Sequence, residues 1–474
     1  MDYEIVIGLE VHAELDTDSK IYCGCTTRFG GEENTHCCPV CVGMPGMMPA
    51  LNKKVVEYCI KAGLAIGCSI SKNSRQDRKH YYYPDLPKNF QTSQYDQPIC
   101  LGGAVEIDTE NGKKTIGITR IHIEEDAGKL IHESYGTRID YNRGGVPLIE
   151  IVSEPDIRSA EEAKAFLETL RSILLYTGVS NCRMEEGSLR CDVNLSIRER
   201  GAKEFGTRTE MKNLNSFRAV TRAIEYEAQR QIDVIESGGE IMQQTLRWDD
   251  VQGINYAMRS KEDAHDYLYF PEPDIMPIVI DEKWLESIRS EIPELPASRK
   301  ERYVSQHGFS ERDAGVVTAS KALSDLLDGA VEMGTQPKDA LNYIISDISR
   351  VINEKGIEPE DVPINAEQLS SLIDMVGKGT ISRTIASKVM ELMFESKGVM
   401  PEEIVKEKQL AQISDEDEIR AMCIKAVSES EKAVADYKAG KEKALKSIVG
   451  RVMKASAGKA NPAIVNEIIK ELLS

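Results

Sequence analysis

The chain has 474 residues, 41% of them hydrophobic, and carries 59 basic against 78 acidic groups for a net charge of −19. That length exceeds what one hydrophobic core supports, so roughly two to four domains are expected. No run of roughly 18 apolar residues exists to form a membrane helix, and the acidic balance excludes nonspecific coating of nucleic acid by the whole surface. The start, Met1 to Ile7, shows no basic segment followed by an apolar one, so a cytoplasmic address is expected.

In chain order, Asp2–Leu15 alternates strictly: Ile5, Ile7, Leu9, Val11, Ala13 and Leu15 face one way, and Gly8, Glu10, His12 and Glu14 the other. This is the pattern of a half-buried antiparallel strand. Next comes Cys23-Gly-Cys25, twelve residues, then Cys38-Pro-Val-Cys41. Two close thiolate pairs suit a closed tetrahedral Cys₄ zinc site, against the alternative of buried free thiols. Cys37 blurs the register, but only Cys38 has the two-residue spacing to Cys41. Four thiolates leave no open position for water, so the zinc is read as structural. The other six cysteines lie scattered among apolar neighbours and read as small core residues.

The segment Asp77–Lys88 sets Tyr81, Tyr82 and Tyr83 among Lys79, other basic residues and prolines. Such a loop suits a flexible nucleic-acid end, the alternative being tyrosines packed on the core. Further on, Arg120, His122 and Glu124 alternate with Ile121 and Ile123, and Glu124-Glu125-Asp126 concentrates three carboxylates that repel unless a cation sits among them. Glu150 follows Pro147-Leu-Ile. A helix opens at Ser159, with Glu162 completing a capping box, and closes at Gly178. Leu189–Ile197 is a second alternating strand, with Arg190, Asp192 and Asn194 on its polar face; Arg208, Glu210 and Lys212 share another. For each polar face taken singly, a solvated sheet surface is the plainer explanation. Together, oxygen ligands plus an imidazole suit Mg²⁺ with a nucleotide phosphate, which arginines and Lys212 would hold.

A second helix spans about Ser216 to Gly238, and Arg259–Asp274 repeats the tyrosine, proline and carboxylate mixture. After Pro293-Glu-Leu-Pro296 helix formers dominate, with a cap at Asn365 and a stop at Gly398. A break near Gln412-Ile-Ser414 precedes a last helical stretch, in which Lys432–Lys459 holds eight basic residues against Asp436 and Glu442. Lys446, Arg451, Lys454 and Lys459 give this tail a basic face, and Leu445, Ile448, Val449 and Val452 an apolar stripe. The expected organisation is α+β: an antiparallel-sheet domain with helices at 1–293 carrying the zinc knuckle at 23–41, an all-α domain at 294–411, and a small helical tail at 412–474. No P-loop, Gly-x-Gly-x-x-Gly fingerprint or Gly-x-Ser-x-Gly elbow is present, so any ATP is bound by an unusual fold.

Ile7-Gly-Leu-Glu-Val-His12, Asp77-Arg-Lys79, Tyr83-Pro-Asp-Leu-Pro87, Glu124-Glu-Asp-Ala-Gly-Lys129, Pro147-Leu-Ile-Glu-Ile-Val-Ser-Glu-Pro-Asp156, Met184-Glu-Glu-Gly-Ser-Leu-Arg-Cys-Asp192, Lys212-Asn-Leu-Asn-Ser-Phe217 and Tyr269-Phe-Pro-Glu-Pro-Asp274 stand in that order. They resemble the signature blocks of the GatB family, the B-type component of the aspartyl/glutamyl-tRNA(Asn/Gln) amidotransferase, across essentially the whole length. Asp274 runs almost directly to Pro296, without the inserted domain of the related archaeal family. Leu268 departs from the basic residue usual there.

The resemblance implies a cradle-shaped catalytic domain, a helical middle domain and a tRNA-binding tail. It implies ATP- and Mg²⁺-dependent phosphorylation of the side-chain carboxylate of misacylated Glu-tRNA(Gln) or Asp-tRNA(Asn). Ammonia from the amidase (glutaminase) subunit, bound with a small third subunit, then gives the amide. Glu10, His12, Glu124, Glu125 and Glu150 are the implied Mg²⁺ shell, alternation favouring Glu124 over Glu125. Asp192 and Glu210 rank second, and Arg190 and Lys212 clamp phosphate. Lys79, Tyr81 and Tyr82, with Lys446, Arg451, Lys454 and Lys459, are the expected tRNA contacts. The alternatives are a noncatalytic zinc-containing tRNA-binding protein and a metal-dependent phosphoesterase.

Overall fold

A computed structural model describes residues 2–258, 267–411, 416–438, 444–456 and 460–473. The 259–266 stretch, the break at 412–414 and Lys459 lie outside the described residues. The chain divides into two compact units, Met1–Pro296 and Ala297–Ser474.

The first unit contains strands β1 (Tyr3–Glu14), β2 (Ser69–Ile70), β3 (Asn73–Ser74), β4 (Asp77–His80), β5 (Phe90–Ser93) and β6 (Cys100–Leu101). They are followed by β7 (Ala104–Thr109), β8 (Gly112–Glu125), β9 (Lys129–Glu133), β10 (Gly136–Asp140), β11 (Pro147–Ser153) and β12 (Leu189–Glu199). The remaining strands are β13 (Thr209–Leu214), β14 (Gln244–Asp249), β15 (Ile254–Ala257), β16 (Leu268–Pro271) and β17 (Ile278–Val279). Helices α1 (Lys53–Ala65), α2 (Ala160–Thr177), α3 (Phe217–Glu236) and α4 (Glu282–Ser290) complete the unit.

Ten strands form one sheet in the order β15-β14-β13-β12-β1-β11-β8-β6-β2, with β7 paired on β8. The two alternating segments are direct neighbours in it: β1 pairs with β12, Glu10 opposite Asp192 and His12 opposite Arg190. Their apolar residues, Ile7, Leu9, Val11, Val193 and Leu195, join Phe166, Leu170, Val220 and Ile224 of α2 and α3 in one core. Helices therefore cover one face of the sheet, and the polar face is left for chemistry.

Two expectations are corrected. The sheet is mixed rather than antiparallel, because β13 and β14 run parallel. Helix α3 separates them in the chain, and a parallel pair needs such a crossover, which a hairpin cannot supply. At the α2 N-terminus, Ser159 caps the Glu162 N–H at 3.1 Å, but the Glu162 carboxylate accepts from the Arg158 N–H at 2.7 Å and not from Ser159. The box is half made because Lys114, 2.6 Å from Glu162, draws that carboxylate away.

Two smaller pieces matter for the site. Strands β16, β4 and β5 form a three-stranded sheet, and β9 and β10 form a hairpin. That hairpin holds the cysteine loop: Asn34 donates to the Ile139 carbonyl at 2.9 Å, Asn142 accepts from the His36 N–H at 2.8 Å, and Arg138 pairs with Glu33.

The second unit is helical, with α5 (Pro296–His307), α6 (Glu311–Thr318), α7 (Lys321–Glu332), α8 (Pro337–Asn342), α9 (Ser349–Lys355), α10 (Ala366–Gly377), α11 (Arg383–Glu395) and α12 (Pro401–Glu407) around one core. A full capping box at Asn365 and Gln368 starts α10. Helices α13 (Glu416–Ser428), α14 (Glu431–Lys438), α15 (Leu445–Ala455) and α16 (Pro462–Leu473) surround a separate core in which Ile448 and Val452 are buried. Among the described residues no helix is long and apolar enough to cross a membrane.

Candidate active site and metal centres

The Sγ atoms of Cys23, Cys25, Cys38 and Cys41 all lie within 4.8 Å of one another. A tetrahedron of Zn–S bonds of about 2.3 Å sets its sulfurs about 3.8 Å apart, so the donor set and its spacing fit Zn²⁺. The hydrogen bond from the Cys23 thiol, joined by the Cys38 N–H and the Lys20 ammonium, holds the Cys41 thiol down to about 4. Cys37 turns out of this group, its Sγ lying 3.8 Å from Asn142 Oδ1. Lys20 is fully buried, with Nζ 3.7 Å from Cys41 Sγ and 3.2 Å from the Tyr141 carbonyl. A cation there offsets the negative charge that four thiolates leave around a divalent ion.

The carboxylates of the polar face do not form a single shell. His12, Glu124 and Glu150 make one group, and Glu10, Asp192 and Glu210 a second, each with donor atoms within 4.8 Å. His12 Nε2 lies 3.3 Å from Glu150 and 3.9 Å from Glu124. An octahedral Mg²⁺ with bonds of about 2.1 Å spans about 3 Å between adjacent ligands and about 4.2 Å across, so both donor sets are compact enough for a divalent cation. The second group, all oxygen, is the harder set.

Glu124 is oriented by Gln91 at 3.1 Å, Ser93 at 2.6 Å and His122 at 3.2 Å. Burial and neighbouring Glu150 push its carboxyl upward, yet His122 and Lys79 outweigh them and hold it below the usual range. For Glu150 too, His122, His12 and Lys79 overcome burial. Burial opposes the Lys79 ammonium, but Glu124 and Glu150 keep its pKa raised. Lys79 thus faces the first group, with Nζ 4.8 Å from the Tyr267 ring centre. Glu125 points the other way, taking the Thr92 N–H at 2.8 Å and pairing with Lys88, so it is separate from the cation group assigned to it, as alternation along β8 dictates.

The second group is shaped by a β-bulge. Cys191 pairs with Leu214 and Val193 with Met211, so Asp192 alone faces two residues, Lys212 and Asn213. Asn213 absorbs the extra residue in the left-handed region, φ 67°. Bulges re-aim side chains, and here Lys212 lies 2.6 Å from Asp192 and 2.7 Å from Glu210. Burial and the charges of Glu150 and Glu210 raise the Glu10 carboxyl, whose Oε1 accepts from Asn194 at 2.9 Å.

Arg190 belongs to a third cluster, 2.8 Å from Asp126, which Arg143 also approaches at 3.5 Å. Burial, with the adjacent Asp126 charge, pushes Glu14 up to about 8. Tyr81 is half-buried against Tyr83 and Tyr267, at 6.5 and 5.9 Å between ring centres, whereas Tyr82 is 79% exposed. On α15, Lys446, Arg451 and Lys454 are exposed, and Arg451 donates to the Glu429 carbonyl at 2.7 Å.

Sequence reasoning placed His122 and Asp126 on the carboxylate-rich segments without giving either a role, and it missed Lys20 and Lys88. His122 stood on the same alternating face as Glu124, a signal sufficient to include it. Lys20 and Lys88 carried none, because their partners are distant in sequence.

The span 5–286, which holds the polar sheet face with its two carboxylate groups and the four-cysteine loop, matches the family model described as the GatB/GatE catalytic domain; a second, described as the GatB domain, matches residues 325–473. Over the full chain it is 59% identical to the B-type component of the aspartyl/glutamyl-tRNA(Asn/Gln) amidotransferase of Caldicellulosiruptor bescii, covering 99% of that protein. It is 55% identical to the same-named protein of Thermoanaerobacter sp. (strain X514) and 51% to that of Moorella thermoacetica, covering 100% of each. The chain belongs to the GatB family of the aspartyl/glutamyl-tRNA(Asn/Gln) amidotransferase.

Proposed function

We propose that this chain is the kinase component of a tRNA-dependent amidotransferase. It phosphorylates, with ATP and Mg²⁺, the side-chain carboxylate of misacylated Glu-tRNA(Gln), Asp-tRNA(Asn) or both. One carboxylate oxygen attacks the γ-phosphorus, ADP leaves, and an acyl phosphate results. Ammonia released from glutamine by an amidase (glutaminase) partner, assembled with a small third component, then displaces phosphate and forms the amide. The work is cytoplasmic.

The observation that carries this reading is the run of two cation-competent groups along one sheet face, flanked by Lys79, Arg190 and Lys212. Phosphoryl transfer asks little covalent chemistry of a protein; positioning and charge neutralisation dominate. Glu10, Asp192 and Glu210, with His12, Glu124 and Glu150, would hold Mg²⁺, which when bound neutralises phosphate oxygens. Lys212 and Lys79 hold phosphate or substrate carboxylate oxygens. Arg190 fixes Asp126 and closes the end of the face. The four cysteines would hold Zn²⁺, which when bound cross-links the loop docked on the β9–β10 hairpin.

The remaining assignments follow the chain: a catalytic part at 1–293, a helical part at 294–411 and a tail at 412–474. Lys446, Arg451 and Lys454, with Lys459, bind tRNA phosphates, and Tyr81 and Tyr82 receive its 3′ end. Release of γ-phosphate from labelled ATP, by the chain with its glutaminase and small partners, tests the reading. Turnover dependent on a misacylated tRNA and absent with correctly charged tRNA is expected. No turnover by an intact complex would leave a noncatalytic tRNA-binding protein, and phosphate release without tRNA would indicate a phosphoesterase.

A further inference from the structure

We propose that Arg78 and Glu272 form a positioning pair that sets Lys79 and Tyr269 over the His12, Glu124 and Glu150 group. This rests on the reading that the group takes part in phosphoryl transfer.

Strands β16, β4 and β5, of 4 residues each, make a sheet of their own beside the large one. Register divides its side chains into two rows. Tyr269, Lys79 and Gln91 stand opposite one another, as do Phe270, Arg78 and Thr92. Residues in register project from the same face, and successive residues from opposite faces. Gln91 reaches Glu124 at 3.1 Å, and Ser93, two residues on, reaches it at 2.6 Å. The row of Lys79 and Tyr269 therefore faces the cation group, and the row of Arg78 turns away from it. Strand β5 is tied to the group by these two hydrogen bonds. Strand β16 is the outer strand, and its Glu272 end is 194 positions from Arg78 in the chain.

The outer strand is locked on the far face. Arg78 donates through Nε and Nη2 to the two oxygens of Glu272, each at 2.8 Å, and through Nη2 to Asp274 at 3.1 Å. Its guanidinium carbon lies 4.4 Å from the ring centre of Phe90 and 5.8 Å from that of Phe270, one ring from each flanking strand. The Glu272 side chain is 2% exposed, and a carboxylate so buried is kept only when paired. Its backbone N–H donates to the Gln76 carbonyl at 2.9 Å, and its Oε1 accepts from the Asp274 N–H at 3.0 Å. A bidentate pair fixes angle as well as distance, so it sets how β16 lies on β4. Neither side chain belongs to the cation group. Their neighbours face it: Lys79 follows Arg78 directly, and Tyr269 stands opposite Lys79 with its ring stacked on Tyr95 at 4.3 Å. The pair explains why two blocks far apart in the chain, Asp77-Arg-Lys79 and Tyr269-Phe-Pro-Glu-Pro-Asp274, carry charges that the cation group does not use.

Arg78→Lys and Glu272→Gln, in the full chain complexed with its glutaminase and small partners, test this. Arg78→Lys keeps a cation beside buried Glu272 but cannot make the two-pronged contact; Glu272→Gln keeps the shape and removes the charge. Both should lower kcat for tRNA-dependent phosphate release about ten- to a hundredfold, the cost of a misplaced group, with KM for misacylated tRNA within about twofold of the parent. Acylation of Lys79 by an amine-reactive probe, read by peptide mass spectrometry, should exceed the parent's, since the ammonium leaves the Tyr267 ring, while acylation of Lys212 stays unchanged. A lowered Tm with kcat and Lys79 acylation as in the parent would make the pair a structural tie and overturn the proposal. Lost kcat with unchanged Lys79 acylation would overturn it as well. A parent complex without turnover on misacylated tRNA would overturn the phosphoryl-transfer reading, and Lys79 acylation would still decide whether the pair places that side chain.

Discussion

Replacing Cys38 and Cys37 by serine, one at a time, separates the metal site from its sequence neighbour by a single position. The four sulfurs of Cys23, Cys25, Cys38 and Cys41 lie within 4.8 Å, while Cys37 makes its sulfur contact with Asn142. Structural zinc binds with an apparent free energy of about 10–16 kcal/mol, so one thiolate of four carries about 2.5–4 kcal/mol. Cys38→Ser should therefore weaken zinc by about two to three orders of magnitude, and Cys37→Ser by no measurable amount. Metal content after dialysis against a graded chelator series reads this directly. Thermal unfolding of the first unit gives a second readout, because the cysteine loop is docked on the β9–β10 hairpin through Asn34, Asn142 and Arg138. Equal zinc loss in the two variants would refute the register, and full zinc retention by Cys38→Ser would refute the site.

His12→Ala should abolish tRNA-dependent phosphate release while tRNA affinity stays within about twofold, since the side chain meets Glu124 and Glu150 and no expected tRNA contact; retained turnover would remove His12 from the chemistry. Exchanging Lys446 and Lys454 for glutamate should weaken tRNA binding and flatten its dependence on salt, the logarithmic slope dropping by about 0.7 to 0.9 per lost phosphate contact. An unchanged slope in a filter-binding titration would place tRNA elsewhere. In the helical unit, Asp328 lies 2.7 Å from both Arg299 and Arg302. Burial pushes its carboxyl up, but the two arginines outweigh burial and hold it below 3.8. The stabilisation is therefore complete above the unfolded value and is lost as pH falls through the folded one. Asp328→Asn should cost about 3 kcal/mol in urea unfolding at pH 7, the gap closing as pH falls through the depressed folded value; a gap independent of pH would show that packing, not charge, is lost.

Much of the first unit was legible because period-2 alternation is local. β1 and β12 needed only their own residues, as did α2 and α3 with their Ser159 and Ser216 caps. The cysteine loop was legible for the same reason, its donors falling within nineteen positions of chain. The parallel pairing of β13 with β14 was not, since it depends on how α3 carries the chain across the sheet. Lys20 was equally hidden: one lysine after the polar run Asp16-Thr-Asp-Ser19 reads as surface until its partners, Cys41 and Tyr141, come from elsewhere in the chain.

The division of the carboxylates into two groups follows from register and could not be had from composition. Glu10 and His12 are two residues apart on one face of β1, which suggests one shell. Across the sheet they face different neighbours: Glu10 meets Asp192 on β12 and reaches Glu210 on β13, while His12 meets Glu150 on β11 and, one strand further, Glu124 on β8. A single strand thus contributes to two centres because two residues along it span about 6.8 Å, more than one cation's coordination sphere covers. The same geometry makes the centres separable by mutation. Substitutions on β13 should act on the Lys212 end and leave the His12 group intact, whereas substitutions on β8 should do the reverse. A nucleotide spanning the two centres would meet the Lys212 end with its α- and β-phosphates and the His12 group with its γ-phosphate. Glu210→Gln should then weaken ADP and ATP alike, and Glu124→Gln should weaken ATP alone. Equal loss of ADP binding in both variants would show that the phosphates do not run in this direction.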